Sequence, residues 1–263
     1  IGAGRGKSFI VGSRDPSSGD EFGVNDDAVR CVYVSGSSGA IIEGFTLRDG
    51  ATRSDGSLGK KNTGAGFCAD GDDTYLVDCE IVHCAGKYGP SCYMGTAIRC
   101  LVDGCYGTGG PGGYLTRYVN SVITRSKASG GSTATLYSCS IYNCTVVDNT
   151  STWAVQTVDD KVYNSVLALS GNSLMYRETN KVCTVENSIL ANDAPHEYRQ
   201  FIAPAIGDWR LTTNGDAVNA GDAKWLSGLE LPEGIDALVE MLAGRTPKER
   251  IAPDVLKVLR GLD

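Results

Sequence analysis

The sequence predicts an all-β chain, a right-handed parallel β-helix solenoid of roughly 22-residue rungs with a short α-helical C-terminal segment. Three observations predict it. One short pattern recurs at near-constant spacing through the middle of the chain. Glycine is abundant, at 34 residues, while proline numbers only 8, which favours many tight turns between short strands. The stretches between pattern copies are short and rich in β-branched residues.

The recurring pattern is usually an apolar residue, then Asn or Asp, then Cys or Ser, then an apolar pair. It reads Val77-Asp78-Cys79, Val119-Asn120-Ser121, Tyr142-Asn143-Cys144, Tyr163-Asn164-Ser165 and Glu186-Asn187-Ser188. Ile98-Arg99-Cys100 fits between the first two, with Arg99 in place of the amide. The markers at 78, 99, 120, 143, 164 and 187 are separated by 21, 21, 23, 21 and 23 residues. Helical repeats are longer than this, and the leucine-rich frame is absent. Three short strands and three turns per rung account for the period. Rungs stacked about 4.8 Å apart align equivalent side chains in ladders. Asn at a bend can then hydrogen-bond to its counterparts above and below.

Two further positions keep the same phase. Cys79, Cys100, Ser121, Cys144, Ser165 and Ser188 follow the markers and suit a crowded inward corner. Cys84, Cys105, Ser126, Asn149, Ser170 and Asp193 lie six residues after the markers. An earlier rung, Ile42-Glu43-Gly44-Phe45, fits if residues 50–63 form an inserted loop, as their Ser, Gly, Lys and Asp content suggests. Asp208-Trp209-Arg210-Leu211, followed by Ala217 to Asp222, reads as a closing coil. The β-helix thus spans 1–222, and 223–263 reads as a helical cap or appendage. Its apolar faces are Ile235, Leu238, Val239 and Leu242, then Val255, Leu256 and Leu259. A solenoid end exposes strand edges that need such a cover.

Net charge of -7 and a pI near 4.9 argue against nucleic acid as the main partner. No apolar run reaches the roughly 18 residues that a membrane span needs. Nothing reads as a signal peptide, and Ile1 opens into strand-like sequence, as a processed end would.

The 10 cysteines admit three readings. Cys79/Cys84, Cys100/Cys105 and Cys139/Cys144 share a spacing that invites zinc, yet a ladder spreads thiols along an axis, whereas zinc needs convergence on one point. Bridges between rungs, such as Cys79 to Cys100, meet the Cα requirement but not the closer Cβ requirement. Buried free thiols are the foremost expectation, and Cys139 stands out of phase with the other pairs. Gly6-Lys7-Ser8 lacks the upstream glycine of a phosphate loop and reads as a turn. His83 and His196 form no catalytic arrangement, and Asp26-Asp27 reads as a turn.

Several stretches carry a resemblance. Gly2 to Ile10, Ala28-Val29-Arg30-Cys31-Val32-Tyr33, Gly44-Phe45-Thr46-Leu47, the Asn-Cys-Thr-Val and Asn-Ser-Ile-Leu rungs, and Trp209 to Gly221 resemble bacterial parallel β-helix repeat proteins of pectate-lyase-like architecture. The resemblance covers about 1–222. It implies a secreted or surface-attached protein that binds or degrades polysaccharide. It also implies that the strand preceding each marker strand lines the ligand groove, here near 65–70, 90–95, 112–117, 133–137, 153–158 and 174–178.

Ligand-binding candidates on or just after those strands are Asp72, Asp73, Tyr114, Arg117, Asp159, Asp160, Tyr176, Arg177 and Glu178, with Asp70 and Tyr93 beside them. A uronate lyase would need a Lys or Arg base and charge neutralisation, often by Ca²⁺. Asp72-Asp73 and Asp159-Asp160 could supply its hard oxygen ligands. A glycoside hydrolase would need two carboxylates roughly 5–9.5 Å apart. No signature of either enzyme maps onto the chain. The foremost expectation is a secreted or cell-surface module binding a glycan or surface partner without catalysis, and without a cofactor unless Ca²⁺ binds. The alternative is a polysaccharide lyase or hydrolase.

Overall fold

The computed structural model describes residues 1–19, 22–36, 39–53, 58–129, 134–151, 153–157, 161–170, 173–177, 184–186, 188–191, 201–203 and 208–211. At 153–157, 169–170, 173–177, 189–191, 201–203 and 208–211 the description extends to the backbone alone. The chain divides into two compact units, Ile1–Ala220 and Gly221–Asp263. The second, with both expected helices, lies outside the described residues.

The first unit is a parallel β-helix. Sheet I has eight strands, from Phe9–Val11 through Glu80–Val82 and Val122–Thr124 to Ile189–Ala191. Sheet II has seven, from Ile41–Glu43 through Thr96–Ile98 and Arg117–Val119 to Thr184–Glu186. Sheet III also has seven: Val32–Val34, Phe67–Ala69, Cys92–Tyr93, Gly113–Tyr114, Ala134–Tyr137, Trp153–Thr157 and Ser173–Arg177. All pairings within them are parallel.

In sheet II, Val77, Ile98, Val119, Tyr142, Tyr163 and Glu186 are successive partners. Their spacings are those of the markers that follow them. Two expectations change. A fourth sheet of three strands, Ala85–Tyr88, Tyr106–Gly109 and Lys127–Ala128, adds a strand to three rungs. Residues between the second corner and sheet III are numerous enough there to pair. Asp208–Leu211 pairs antiparallel with Phe201–Ala203, so this segment is a two-stranded antiparallel pair and not a further parallel coil.

Each corner turns on one residue in the left-handed region. At the markers, φ is +71° for Gly44, +50° for Asp78, +53° for Arg99, +50° for Asn120, +52° for Asn143 and +47° for Asn164. That conformation costs an ordinary L-residue roughly 1–2 kcal/mol, and Gly, Asn and Asp bear it best. It turns the marker N–H toward the next rung: Asn120 donates to Tyr142 O at 2.9 Å and Asn143 to Tyr163 O at 3.0 Å. Amides therefore recur here for a backbone reason that side-chain stacking alone did not supply. The second corner repeats the device at Asp49, His83, Gly104, Arg125 and Asp148, and the third at Met94, Leu115 and Ser138. His83 is exposed at its corner.

The residue after each turn spans it. Ser121 Oγ donates to Val119 O at 2.9 Å, Cys144 Sγ to Tyr142 O at 3.2 Å and Ser165 Oγ to Tyr163 O at 2.7 Å. The two serine oxygens also accept from the preceding rung: Cys100 N–H donates to Ser121 Oγ and Cys144 N–H to Ser165 Oγ, each at 3.0 Å. Cys139 Sγ donates to Tyr137 O at 3.4 Å, and Thr116 Oγ1 to Tyr114 O at 3.1 Å. Cys139 thus belongs to the third corner, which is why its phase differs.

The interior is filled by aligned rows. Leu47, Ile81, Val102, Ile123, Val146 and Leu167 are fully buried on sheet I. Tyr118 is also buried, with its hydroxyl donating to Gly112 O at 2.6 Å. A Cβ at Gly113 would meet its ring at 2.7 Å, so the large interior side chain requires the missing one. The nine described cysteines are free thiols. Burial pushes those of Cys92 and Cys144 up to about 12 and that of Cys79 to about 11.

Of the segment expected as an inserted loop, residues 50–53 and 58–63 are described, and both ends pair with the stack. Ala51 and Thr63 bridge in parallel to Ala85 and Tyr88, and Arg53 N–H donates to Lys61 O at 3.2 Å. Near the start, Lys7 and Ser8 N–H groups both donate to Gly4 O, closing a turn into Phe9–Val11.

Candidate functional site

Strands alternate their side chains. On sheet III, Phe67, Cys92 and Leu136 are buried residues of the hydrophobic core. The alternate positions pair in register in the order Tyr33, Cys68, Tyr93, Tyr114, Tyr137, Gln156 and Tyr176; of these Tyr33 is exposed, Tyr93, Tyr114 and Tyr137 are half-buried and Cys68 is covered. The Tyr93 and Tyr114 rings are stacked with centroids 5.8 Å apart, and Tyr114 and Tyr137 with centroids 4.5 Å apart. Tyr88 meets Tyr114 edge-on at 5.9 Å.

Because the rings cover one another's faces, the row presents ring edges and phenol hydroxyls outward at rung spacing. Burial raises the Tyr114 hydroxyl's pKa above the usual phenol range, and the neighbouring Tyr137 and Tyr93 add to this. It is therefore a protonated hydrogen-bond donor at neutral pH.

Glycines in tight turns let this row close up. Gly89 has φ +51°, and a Cβ there would stand 2.8 Å from that of Tyr114. Gly110 has φ +58° and stands likewise 3.3 Å from Tyr137.

A charged cluster closes the row at Tyr33. The Tyr33 hydroxyl donates to Asp70 at 3.0 Å, and Lys60 Nζ approaches the same carboxylate at 2.9 Å. Gly36 N–H donates to it as well. The Arg30 guanidinium lies 5.3 Å over the Tyr33 ring while donating to Lys60 O. Lys60, first among these partners, holds the Asp70 carboxyl below its ordinary range. An ionised carboxylate held by several donors is an organiser of the cluster; a general acid would need the opposite shift. Cys68 is buried beside Thr63 at 3.5 Å, and burial raises its pKa.

The sequence candidates fall in different places. Tyr114 sits at the centre of the row, with Tyr93 beside it. Tyr176 and Arg177 belong to the last strand of sheet III, where the description is of backbone only. Arg117 begins the next strand, on sheet II, and shares a row with Tyr75 and Thr96. Asp72 is exposed in the turn before that sheet, and Asp73 is half-buried with Oδ1 lacking a hydrogen-bond partner. Asp73 and Arg117 act on the Tyr75 hydroxyl with opposite sign, Asp73 raising its pKa and Arg117 lowering it, beneath a larger rise from burial. Asp159, Asp160 and Glu178 lie outside the described residues. Among the described residues, no three His, Cys, Asp or Glu side chains converge as metal ligands.

Tyr33, Tyr88, Tyr137, Arg30 and Lys60 join the site without having been sequence candidates. A signal for Tyr137 existed, since Tyr93, Tyr114 and Tyr137 each stand six residues before the markers 99, 120 and 143. Comparison with known proteins adds no further constraint: no family model, curated protein or solved structure matches this chain.

Proposed function

We propose that this β-helix binds an extended polysaccharide along the outer face of sheet III as a non-catalytic module, outside the cell or on its surface. The observation that carries the reading is the in-register row of Tyr93, Tyr114 and Tyr137, with ring centroids 5.8 and 4.5 Å apart. Rungs repeat about every 4.8 Å, close to the advance of one sugar unit in an extended chain. Phenol hydroxyls then meet sugar hydroxyls unit by unit, while ring edges contact C–H faces. Tyrosine supplies such contact area with few rotors to immobilise. The resemblance to pectate-lyase-like β-helices supports the same ligand class. Buried thiols are shielded from oxidants, so free cysteines are compatible with an extracellular setting.

The test is a polysaccharide panel read by calorimetry. Tyr114→Phe, which removes one hydroxyl, is expected to weaken binding about 2- to 10-fold, the worth of a typical hydrogen bond. Tyr114→Ala is expected to weaken it more than tenfold with the fold retained by circular dichroism. No binding of any polymer by the native protein would refute the proposal. The same panel incubated with and without Ca²⁺ is expected to yield no unsaturated product and no new reducing ends. Either product would make the module an enzyme.

A further inference from the structure

Beside the fourth sheet lies a cavity of about 320 Å³ lined by Phe22, Val24, Lys87, Tyr106, Thr108 and Ser129, with Gly86 as backbone. Its wall is aromatic: Phe22 and Tyr106 are stacked within 5° of parallel. Beside Tyr106, on the same face of the fourth sheet, Thr108 Oγ1 and Ser129 Oγ stand 3.5 Å apart on neighbouring rungs. An aromatic pair beside two hydroxyls suits a ring with an apolar face and a polar rim. At roughly 30 Å³ each the space holds about ten waters, the scale of a single sugar unit and too small for a chain.

Two side-chain contacts link the cavity to the tyrosine row. Lys87 Nζ lies 5.6 Å over the Tyr88 ring, and Tyr88 meets Tyr114 edge-on. Yet it is displaced sideways. Lys87 and Tyr88 precede Tyr93 in the same rung, and Thr108 precedes Tyr114 in the next, so cavity and row occupy the same rungs on adjacent faces. A polymer lying along the row therefore cannot thread the cavity; a branch leaving it at right angles can reach it.

We infer that the cavity is a branch subsite: the ligand is a branched polysaccharide whose backbone lies on the tyrosine row and whose single-sugar side branch seats beside the Phe22–Tyr106 pair and over the Thr108 and Ser129 hydroxyls. This rests on the proposed glycan-binding reading and specifies its substrate class. The Thr108 and Ser129 hydroxyls bond the branch's hydroxyls, and the aromatic pair covers its apolar face.

The test uses galactomannan and arabinoxylan, each before and after enzymatic removal of its branches, with calorimetric titration of the native protein, Thr108→Val/Ser129→Ala and Tyr114→Ala. The native protein is expected to bind at least one branched polymer about tenfold or more tighter than its debranched form. The double variant is expected to bind both forms at the debranched level, and Tyr114→Ala to lose affinity for both. Equal native affinity for branched and debranched polymer, with Tyr114→Ala still impaired, would overturn the branch subsite and leave the platform standing. An unchanged branch preference in the double variant would equally overturn it. Absence of binding to all four polymers would overturn the branch subsite, and absence of binding to the full panel would remove the platform as well.

Discussion

At a single corner the deciding quantity is φ. Asn120 is held at +50° while its N–H reaches the next rung, and a β-branched side chain tolerates that region worst. Asn120→Val is expected to destabilise the fold by about 1–2 kcal/mol. Asn120→Gly removes the steric cost but raises the entropy of the unfolded chain, and should change stability by less than about 1 kcal/mol. Urea midpoints at constant slope measure both. Equal losses for the two variants would mean that the amide side chain, and not the backbone conformation, holds the corner. Arg99 is the informative exception: it keeps φ +53° without an amide's tolerance. Its guanidinium compensates by gripping Asp78 on the adjacent rung, with Nε 2.8 Å from Oδ1.

Between rungs, the residue after a turn can act as donor and acceptor at once. Ser165 Oγ does both, accepting from Cys144 N–H at 3.0 Å and donating to Tyr163 O, while the Cys144 thiol makes the donor half by donating to Tyr142 O. Cys144→Ser keeps a small donor in a position that Ser121 and Ser165 already fill with hydroxyls. It is expected to cost less than about 1 kcal/mol. Cys144→Val removes the donor, leaves a carbonyl at the bend with one partner fewer and adds bulk, costing about 1–3 kcal/mol. Thermal unfolding of both variants distinguishes a hydrogen-bonding corner from one that merely needs a small side chain; in the second case the two losses would match.

Over the whole molecule, many interior thiols titrate together. Those of Cys79, Cys92 and Cys144 ionise in the folded state only at about 11 to 12, because burial disfavours the thiolate. In the unfolded chain they ionise near 8.5. Between these values the unfolded state binds fewer protons than the folded one, so stability falls as pH rises. Their contribution is fully present below about pH 8 and declines by roughly 1.4 kcal/mol per pH unit per thiol above 9. Urea unfolding between pH 7 and 10, under reducing conditions, is expected to show midpoints dropping steeply above pH 9. A flat profile would place these thiols in solvent. The same burial should leave them unreactive toward alkylating reagents until the chain unfolds.

Period, register and corner chemistry were legible in the sequence because each is a property of one rung repeated. A left-handed turn followed by a small donor leaves the same residue types wherever it occurs, so the markers predicted the pairings of sheet II residue by residue. Tyr114 was legible as a candidate for the same reason, though not that its ring would be sandwiched between two others. What only the tertiary structure decided came from irregular segments. Lys60 meets Asp70 and Tyr33, and Phe22 stacks on Tyr106. Those partners are far apart in sequence and share no period. Their meeting depends on where an excursion returns to the stack, which is set by the folded path of the whole coil and leaves no repeating trace. The solenoid and its tyrosine row are thus written rung by rung, while the charged cluster at Tyr33 and the cavity arise where the rungs depart from their own rule.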